Sequence, residues 1–343
     1  MAISKYNLKK VRETILVSLL SAATGAAFAS FLKYAFFNSD ANTSLARFML
    51  LGGLTGGIIC LTFILIEGKL ERLFAKPLWV VIVAIPLIYT GIIAVEYGVI
   101  FTAVMGVEDF FGESLILETI AFSLAMSMII NFSAMLNRLL GNHVLAGLIF
   151  GKYHRPVTER RFVMYLDLAG STSIAERIGN IAFHSFLNDF FRDISRPIID
   201  WHGDIYKYVG DEAIITWKSK EGVAQQAALE AFFAIRDAVR IRERHYEARY
   251  GCVPRFRAGL HYGEVIVGEM GDYKREIAIL GDVMNTAARI QSECRSLGVD
   301  FLASDEAIRE LTPCDPRFTL SSCGEASLRG KETRMVLHSV ARA

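Results

Sequence analysis

Residues Tyr206 to Trp217 read YKYVGDEAIITW, two apolar runs joined by Gly-Asp-Glu. Runs of β-favouring residues flanking a tight glycine turn make a hairpin, and this one carries Asp211 and Glu212 at its tip. An acid there suits a metal ligand in a nucleotide enzyme. The same Gly-Asp turn is also common in hairpins that do no chemistry. The surrounding sequence has to decide between them.

Upstream, FVMYLDL from Phe162 reads as a buried strand, followed by a helix over about 171–201. Downstream, a long helix is expected over about 222–249, with Ala227, Ala231, Phe232, Ile235, Ala238 and Val239 on one face. Strands FRAGLHYG, EVIVGEM and EIAIL come next, then a helix over about 283–297 and a last strand, MVLHSV. This βαββαβ order predicts an α+β, ferredoxin-like antiparallel sheet with helices on one face.

On that frame Asp167 ends the first strand and Asp211 sits in the hairpin turn. If their strands are neighbours, two carboxylates meet at one end of the sheet. Hard oxygen ligands suit Mg²⁺, which keeps several waters and takes other ligands from substrate phosphates. Two such ions would polarise an attacking hydroxyl and a leaving phosphate. Gly170, Ser171 and Thr172 open the next helix, where free backbone N–H groups make a phosphate cradle; alone, they read as an ordinary helix start. In LGDVMNTAARI, Asn285 and Arg289 stand four apart and share a helix face. Phosphoryl transfer calls for such a pair, to orient a ribose and neutralise phosphate charge. Alone, they read as a capping Asn beside a solvated Arg.

Four stretches occur in order: FVMYLDLAGST, KYVGDEAIITW, GLHYGEVIVGEMG and LGDVMNTAARI. Together they resemble the class III nucleotidyl cyclases, the membrane and soluble adenylate and guanylate cyclases, over about 161–341. The hairpin also shares Gly-Asp-Glu with the GGDEF signature of diguanylate cyclases, but nothing beyond those letters matches, and that reading leaves Asn285 and Arg289 without a role. The cyclase resemblance implies that Asp167 and Asp211 bind two Mg²⁺ or Mn²⁺ ions per site, with the Leu168 carbonyl assisting. It implies that Asn285 and Arg289 position the ribose and stabilise the transition state. It further implies a head-to-tail homodimer with shared sites, one protomer giving the aspartates and the other Asn285, Arg289 and the base-reading residues. Lys331, in LRGKE, looks like the family's triphosphate-binding lysine.

Base choice rests on Lys207, where adenylate cyclases place lysine and guanylate cyclases glutamate. Adenine N1 is an acceptor and requires a donor, and a mispaired buried polar site discriminates strongly. This chain departs from the family at Ala278, where an Asp or Thr usually accepts from the adenine amino group. Glu276, two residues earlier on the same strand face, is the candidate replacement. The expectation is an adenylate cyclase making cyclic AMP and pyrophosphate from ATP. A guanylate cyclase using GTP is the alternative, and a non-catalytic membrane receptor with a cyclase-like dimerisation domain is the other.

Residues 1–137 differ in kind. The chain is 52% hydrophobic and 21% charged over 343 residues, and the apolar excess lies before about residue 140. Four runs, about 14–37, 45–66, 78–100 and 115–136, reach the roughly 20 residues a bilayer-spanning helix needs. Lys5, Lys9, Lys10 and Arg12 precede the first run, Lys69, Arg72 and Lys76 lie between the second and third, and Arg138, Lys152, Arg155, Arg160 and Arg161 follow the fourth. The remaining two loops carry no Lys or Arg. The positive-inside rule therefore predicts a multi-pass, inner-membrane protein with N-terminus and catalytic domain cytoplasmic. The first run has no cleavage site and reads as a retained span. Glu96 and Glu118 fall toward outer span ends, where a carboxylate reaching the interface is the simplest reading. Gly52, Gly53, Gly56 and Gly57 offer a small face for helix packing. No span contains a histidine, which disfavours haem held between two of them.

Residues 138–161 read as a coupling helix and linker closed by Pro156, and 162–343 as the catalytic domain. A net charge of +1 implies no bulk attraction to nucleic acid. Five cysteines without zinc spacing read as reduced thiols. Four spans without an obvious internal repeat argue against a transporter.

Overall fold

The computed structural model describes residues 152–326 apart from Lys274, residues 334–342, and in the N-terminal part helix α1 (Ile85–Met105) with scattered residues between Leu19 and Phe132. The chain divides into two compact units, Met1–Leu136 and Asn137–Ala343. In the first, α1 overlaps the third expected span, and its apolar run is interrupted by Thr90, Glu96 and Thr102. Thr62 Oγ1 donates to Glu96 Oε1 at 2.6 Å. Among the described residues no helix is long and apolar enough to cross a membrane. Most of the other three expected spans, Glu118, and the coupling helix up to residue 151 lie outside the described residues.

The second unit is built on one eight-stranded sheet. Its elements are β1 (Val157–Leu168), α2 (Ser171–Ile178), α3 (Asn180–Asp200), β2 (Asp204–Val209), β3 (Glu212–Lys218), α4 (Ala227–Ile241), α5 (Glu243–Tyr250), β4 (Phe256–Met270), β5 (Glu276–Leu280), α6 (Asp282–Leu297), β6 (Phe301–Ser304), α7 (Asp305–Glu310), β7 (Phe318–Ala326) and β8 (Met335–Arg342). The strand order is β2-β3-β1-β4-β6-β8-β7, with β5 paired to β4. The β2-β3-β1-β4 portion, with α3 and α4 as crossovers, is the expected βαββαβ core. Two features of the expectation are corrected. The sheet is mixed, because β6 runs parallel to β4, and helices cover both faces.

Alternation along β1 explains the two faces. Phe162, Met164 and Leu166 enter a core with Phe186, Phe190 and Ile194 of α3 and Phe232 and Ile235 of α4. Val163 points the other way and joins Val265, Val267, Ile279, Val283, Met284 and Ala287, which packs α6 on the opposite face. A strand apolar on both sides is one buried on both sides.

Local boundaries differ from the periodicity in three places. The helix expected over 171–201 breaks at Gly179, whose φ of +84° ends α2 and begins α3; only glycine takes such a conformation without strain. The helix expected over 222–249 is interrupted at Gln225 and Gln226, both at positive φ, and again at Arg242. In the opposite direction, the two strands expected around Gly263 are one 15-residue strand, β4. Its glycines are there because another chain segment comes close, not because the backbone turns. A Cβ at Gly259 would lie 2.2 Å from the Gln291 backbone nitrogen, so α6 rests directly on β4.

A buried polar tie fixes α5 to α3. Asp189, 4% exposed, accepts from Tyr250 Oη at 2.8 Å and Arg192 at 2.7 Å and lies 3.0 Å from His245 Nε2. Burial raises the Asp189 carboxyl pKa, but the bonds from His245 and Tyr250, with Arg192 and Arg249 nearby, outweigh it and hold the group below its usual range.

Candidate active site

The β1–β3 register sets Asp167 directly opposite Glu212. Residues Gly210 and Asp211 form the two-residue loop between Val209 and Glu212, and Gly210 takes φ +63° to close it. Asp167, Asp211 and Glu212 therefore gather at one end of the sheet, and the structure brings the two predicted aspartates together. Burial raises the Asp167 carboxyl to about 6, helped by the charge of Asp211 and a hydrogen bond between the two. The Leu168 backbone amide and Gln291 Nε2, at 3.3 Å, oppose this only in part. Burial and the two aspartates likewise push Glu212 up to about 7.

Such a pair fits a divalent cation. Two carboxylates meet here, with Arg257 the cross-strand neighbour of Asp167 on β4. Among the described residues no three His, Cys, Asp or Glu side chains make a ready metal cage.

Past Leu168 the chain turns at Gly170, in the left-handed region, and Ser171 and Thr172 begin α2 without any side-chain cap. Their backbone donors stand beside the carboxylates in sequence, as the cradle reading requires. Asn285 is exposed and Arg289 half-buried on α6. Among the described residues no hydrogen bond or ion pair joins either one to the three carboxylates. Lys331 lies outside the described residues.

The base-reading candidates are at another place. On the α6 side β2 meets β5, and Tyr206 Oη accepts from the Ile279 backbone N–H at 3.1 Å. Beside this contact Lys207 Nζ lies 3.5 Å from Glu276 Oε1. Ala278 is in β5, 6% exposed and paired with Gly268.

Two residues escaped the sequence reading. Glu212 was visible at the hairpin tip, but its proximity to Asp167 depends on the β1–β3 register. Gln291 lies two residues past Arg289 on the sheet-facing side of α6, where the helical period alone would have placed it.

Residues 154–341 match the family described as "Adenylate and Guanylate cyclase catalytic domain". Adenylate cyclase 2 of Rhizobium meliloti is 36% identical over 225 residues, covering 65% of this chain and 61% of that protein. An adenylate cyclase of Anabaena cylindrica is 26% identical over 53% of this chain and 37% of its own length. This chain thus spans less than two thirds of these relatives. A solved bacterial light-regulated adenylyl cyclase superposes with a TM-score of 0.55 at 20% identity, covering 67% of each chain, a likeness of fold.

Proposed function

This chain belongs to the adenylate and guanylate cyclase catalytic-domain family, and from that premise we propose that it is a membrane-anchored adenylate cyclase, converting ATP into 3′,5′-cyclic AMP and pyrophosphate. The observation that carries the proposal is the pair Asp167 and Asp211, close enough at one sheet end for the charge of Asp211 to raise the Asp167 carboxyl, a donor set suited to ions that arrive with a nucleoside triphosphate. These carboxylates and the Leu168 carbonyl would hold two Mg²⁺ or Mn²⁺ ions. Bound ions supply charge neutralisation and a more acidic ribose hydroxyl.

The chain's own residues do the rest. Amides of Gly170, Ser171 and Thr172 receive phosphate oxygens, and Lys331 meets the triphosphate. Asn285 orients the ribose so that its 3′-oxygen faces the α-phosphorus, and Arg289 balances charge as the bond to pyrophosphate breaks. Asn285 and Arg289 come from a second copy of the chain, which makes the working unit a homodimer. The N-terminal unit sits in the lipid bilayer of the inner membrane, with the N-terminus and catalytic domain in the cytoplasm, as the distribution of basic residues predicts.

Ala278 favours a second reading, in which GTP is the substrate, because its methyl cannot accept from an adenine amino group. Product analysis of the purified full chain given ATP or GTP with Mg²⁺ or Mn²⁺ tests both. Cyclic AMP from ATP supports the first reading, and cyclic GMP alone supports the second. The absence of either product would leave a non-catalytic dimerisation module.

A further inference from the structure

We infer that Glu276 is the group that accepts from the adenine 6-amino group, with Lys207 beside it donating to N1. The assignment rests on the ATP reading above and goes further, because it says how a chain with alanine at position 278 recognises its base.

Lys207 and Glu276 lie 69 residues apart in sequence, on β2 and β5, yet Nζ and Oε1 are 3.5 Å apart. Their strands are pinned close by, one residue from Lys207 and three from Glu276. Tyr206 Oη receives the Ile279 N–H at 3.1 Å, and Tyr206 packs with Ile277 and Ile279 against the second core. The pair is therefore placed by backbone and core contacts, not by two long side chains meeting at random. Both side chains are about half exposed, at 48% and 46%, which leaves each able to reach a ligand. As a surface ion pair they would contribute little to stability, so stability alone gives no reason to hold them there.

The chemistry follows from the edge of the base. Adenine presents an acceptor, N1, next to a donor, the 6-amino group. Lysine is all donor and carboxylate all acceptor, so Lys207 answers N1 and leaves the amino group open. Ala278 offers only a methyl, itself buried. Glu276 is on the same face of β5 as Ala278, because strand side chains repeat every second residue. A glutamate at 276 supplies from two residues away the acceptor that position 278 lacks. Guanine also pairs an acceptor, O6, with a donor, N1–H. Guanine holds the two groups in the reverse order along its edge, so the same two side chains would read it only if the base turned over, and the test must separate these cases.

The experiment measures kcat/KM of the full chain with ATP, with purine riboside triphosphate, which lacks the 6-amino group, and with GTP. Wild type should prefer ATP over purine riboside triphosphate by roughly 10- to 100-fold, the value of one hydrogen bond to a charged group. Glu276→Ala should lose about the same factor with ATP and then treat the two nucleotides alike. Glu276→Gln, which keeps an acceptor oxygen, should recover part of the preference. Glu276→Thr, too short to reach the base, stands in if the alanine chain does not fold. A structural role for Glu276 would lower both nucleotides equally and leave their ratio unchanged; that outcome overturns the assignment while ATP turnover by wild type keeps the cyclase reading intact. Wild type that makes cyclic GMP and no cyclic AMP removes the ATP reading and this assignment with it.

Discussion

Gly259→Ala puts one methyl where α6 touches β4. A Cβ there would stand 2.2 Å from Gln291 N, 2.7 Å from Ala287 O and 2.7 Å from Gln291 Cα, all backbone atoms of a single helix. Carbon contacts settle near 3.5 Å, so α6 must retreat by about 1 Å, since no side chain is available to rotate away. Overpacking of this kind costs about 1–3 kcal/mol. Restricting the unfolded chain returns only about 0.4–1 kcal/mol, so destabilisation wins. For a unit of this size that lowers Tm by roughly 2–8 °C. Function should suffer more than stability. α6 carries Asn285 and Arg289 as well as Gln291, which donates to Asp167, and a 1 Å misplacement is worth roughly 100-fold in rate. Thermal melts and cyclic-nucleotide production on the same preparations check both parts. Gly263→Ala is the comparison: its Cβ would meet only Val283 Cγ2, at 2.7 Å, a side-chain atom that can rotate, so its effects should be the smaller. If Gly259→Ala melts and turns over like wild type, α6 does not rest on β4 as described.

Much of the candidate site was legible because its residues carry their own local signals. Asp167 closes an apolar run, Asp211 occupies a glycine turn, and Asn285 and Arg289 repeat at helical spacing. What periodicity does not hold is the pairing of distant strands. That β1 lies next to β3, setting Asp167 against Glu212, is a register decided by packing on both faces of the sheet. The glycines misled in both directions for one physical reason. Gly179 turns the chain at positive φ inside an unbroken helical pattern, whereas Gly263 leaves β4 straight and makes room for Val283. Sequence shows that a side chain is missing but not whether a turn or a neighbour required it. Strand β6, four residues long and wholly buried, is too short for any alternation to show, and with it went the parallel pairing to β4. Lys207 and Glu276 were each legible as residue types, but their proximity depends on β2 meeting β5, which no local pattern shows.

The remaining tests probe the shared site, the helix tie and the carboxylate pair. Mixing Asp211→Ala with Asn285→Ala protein should restore part of the lost activity, since one hybrid interface then holds a full set; heterodimers that form and stay inactive would contradict site sharing. Asp189→Asn weakens the α3–α5 tie, and because the native Asp189 carboxyl lies below its usual range, its contribution is present above about pH 4 and lost as pH falls further. Acid melts of wild type should therefore steepen below pH 4 more than those of Asp189→Asn, and identical curves would refute the role of the carboxylate. Asp167→Asn should move stability and turnover in opposite directions. With its carboxyl raised to about 6, metal-free wild type is unpenalised below about pH 4 and loses stability as pH rises through 6. Asparagine cannot ionise and avoids that loss, so at pH 7 the metal-free variant should be the more stable by about 1 kcal/mol, a figure reduced because water screens a half-buried group. Mn²⁺ should raise the Tm of wild type and hardly move the variant, while cyclic AMP production by the variant falls to background. A metal-free wild type whose Tm is flat from pH 5 to 7 and equal to that of Asp167→Asn would show that the two aspartates do not confront each other, and the ion-binding assignment would fall with them.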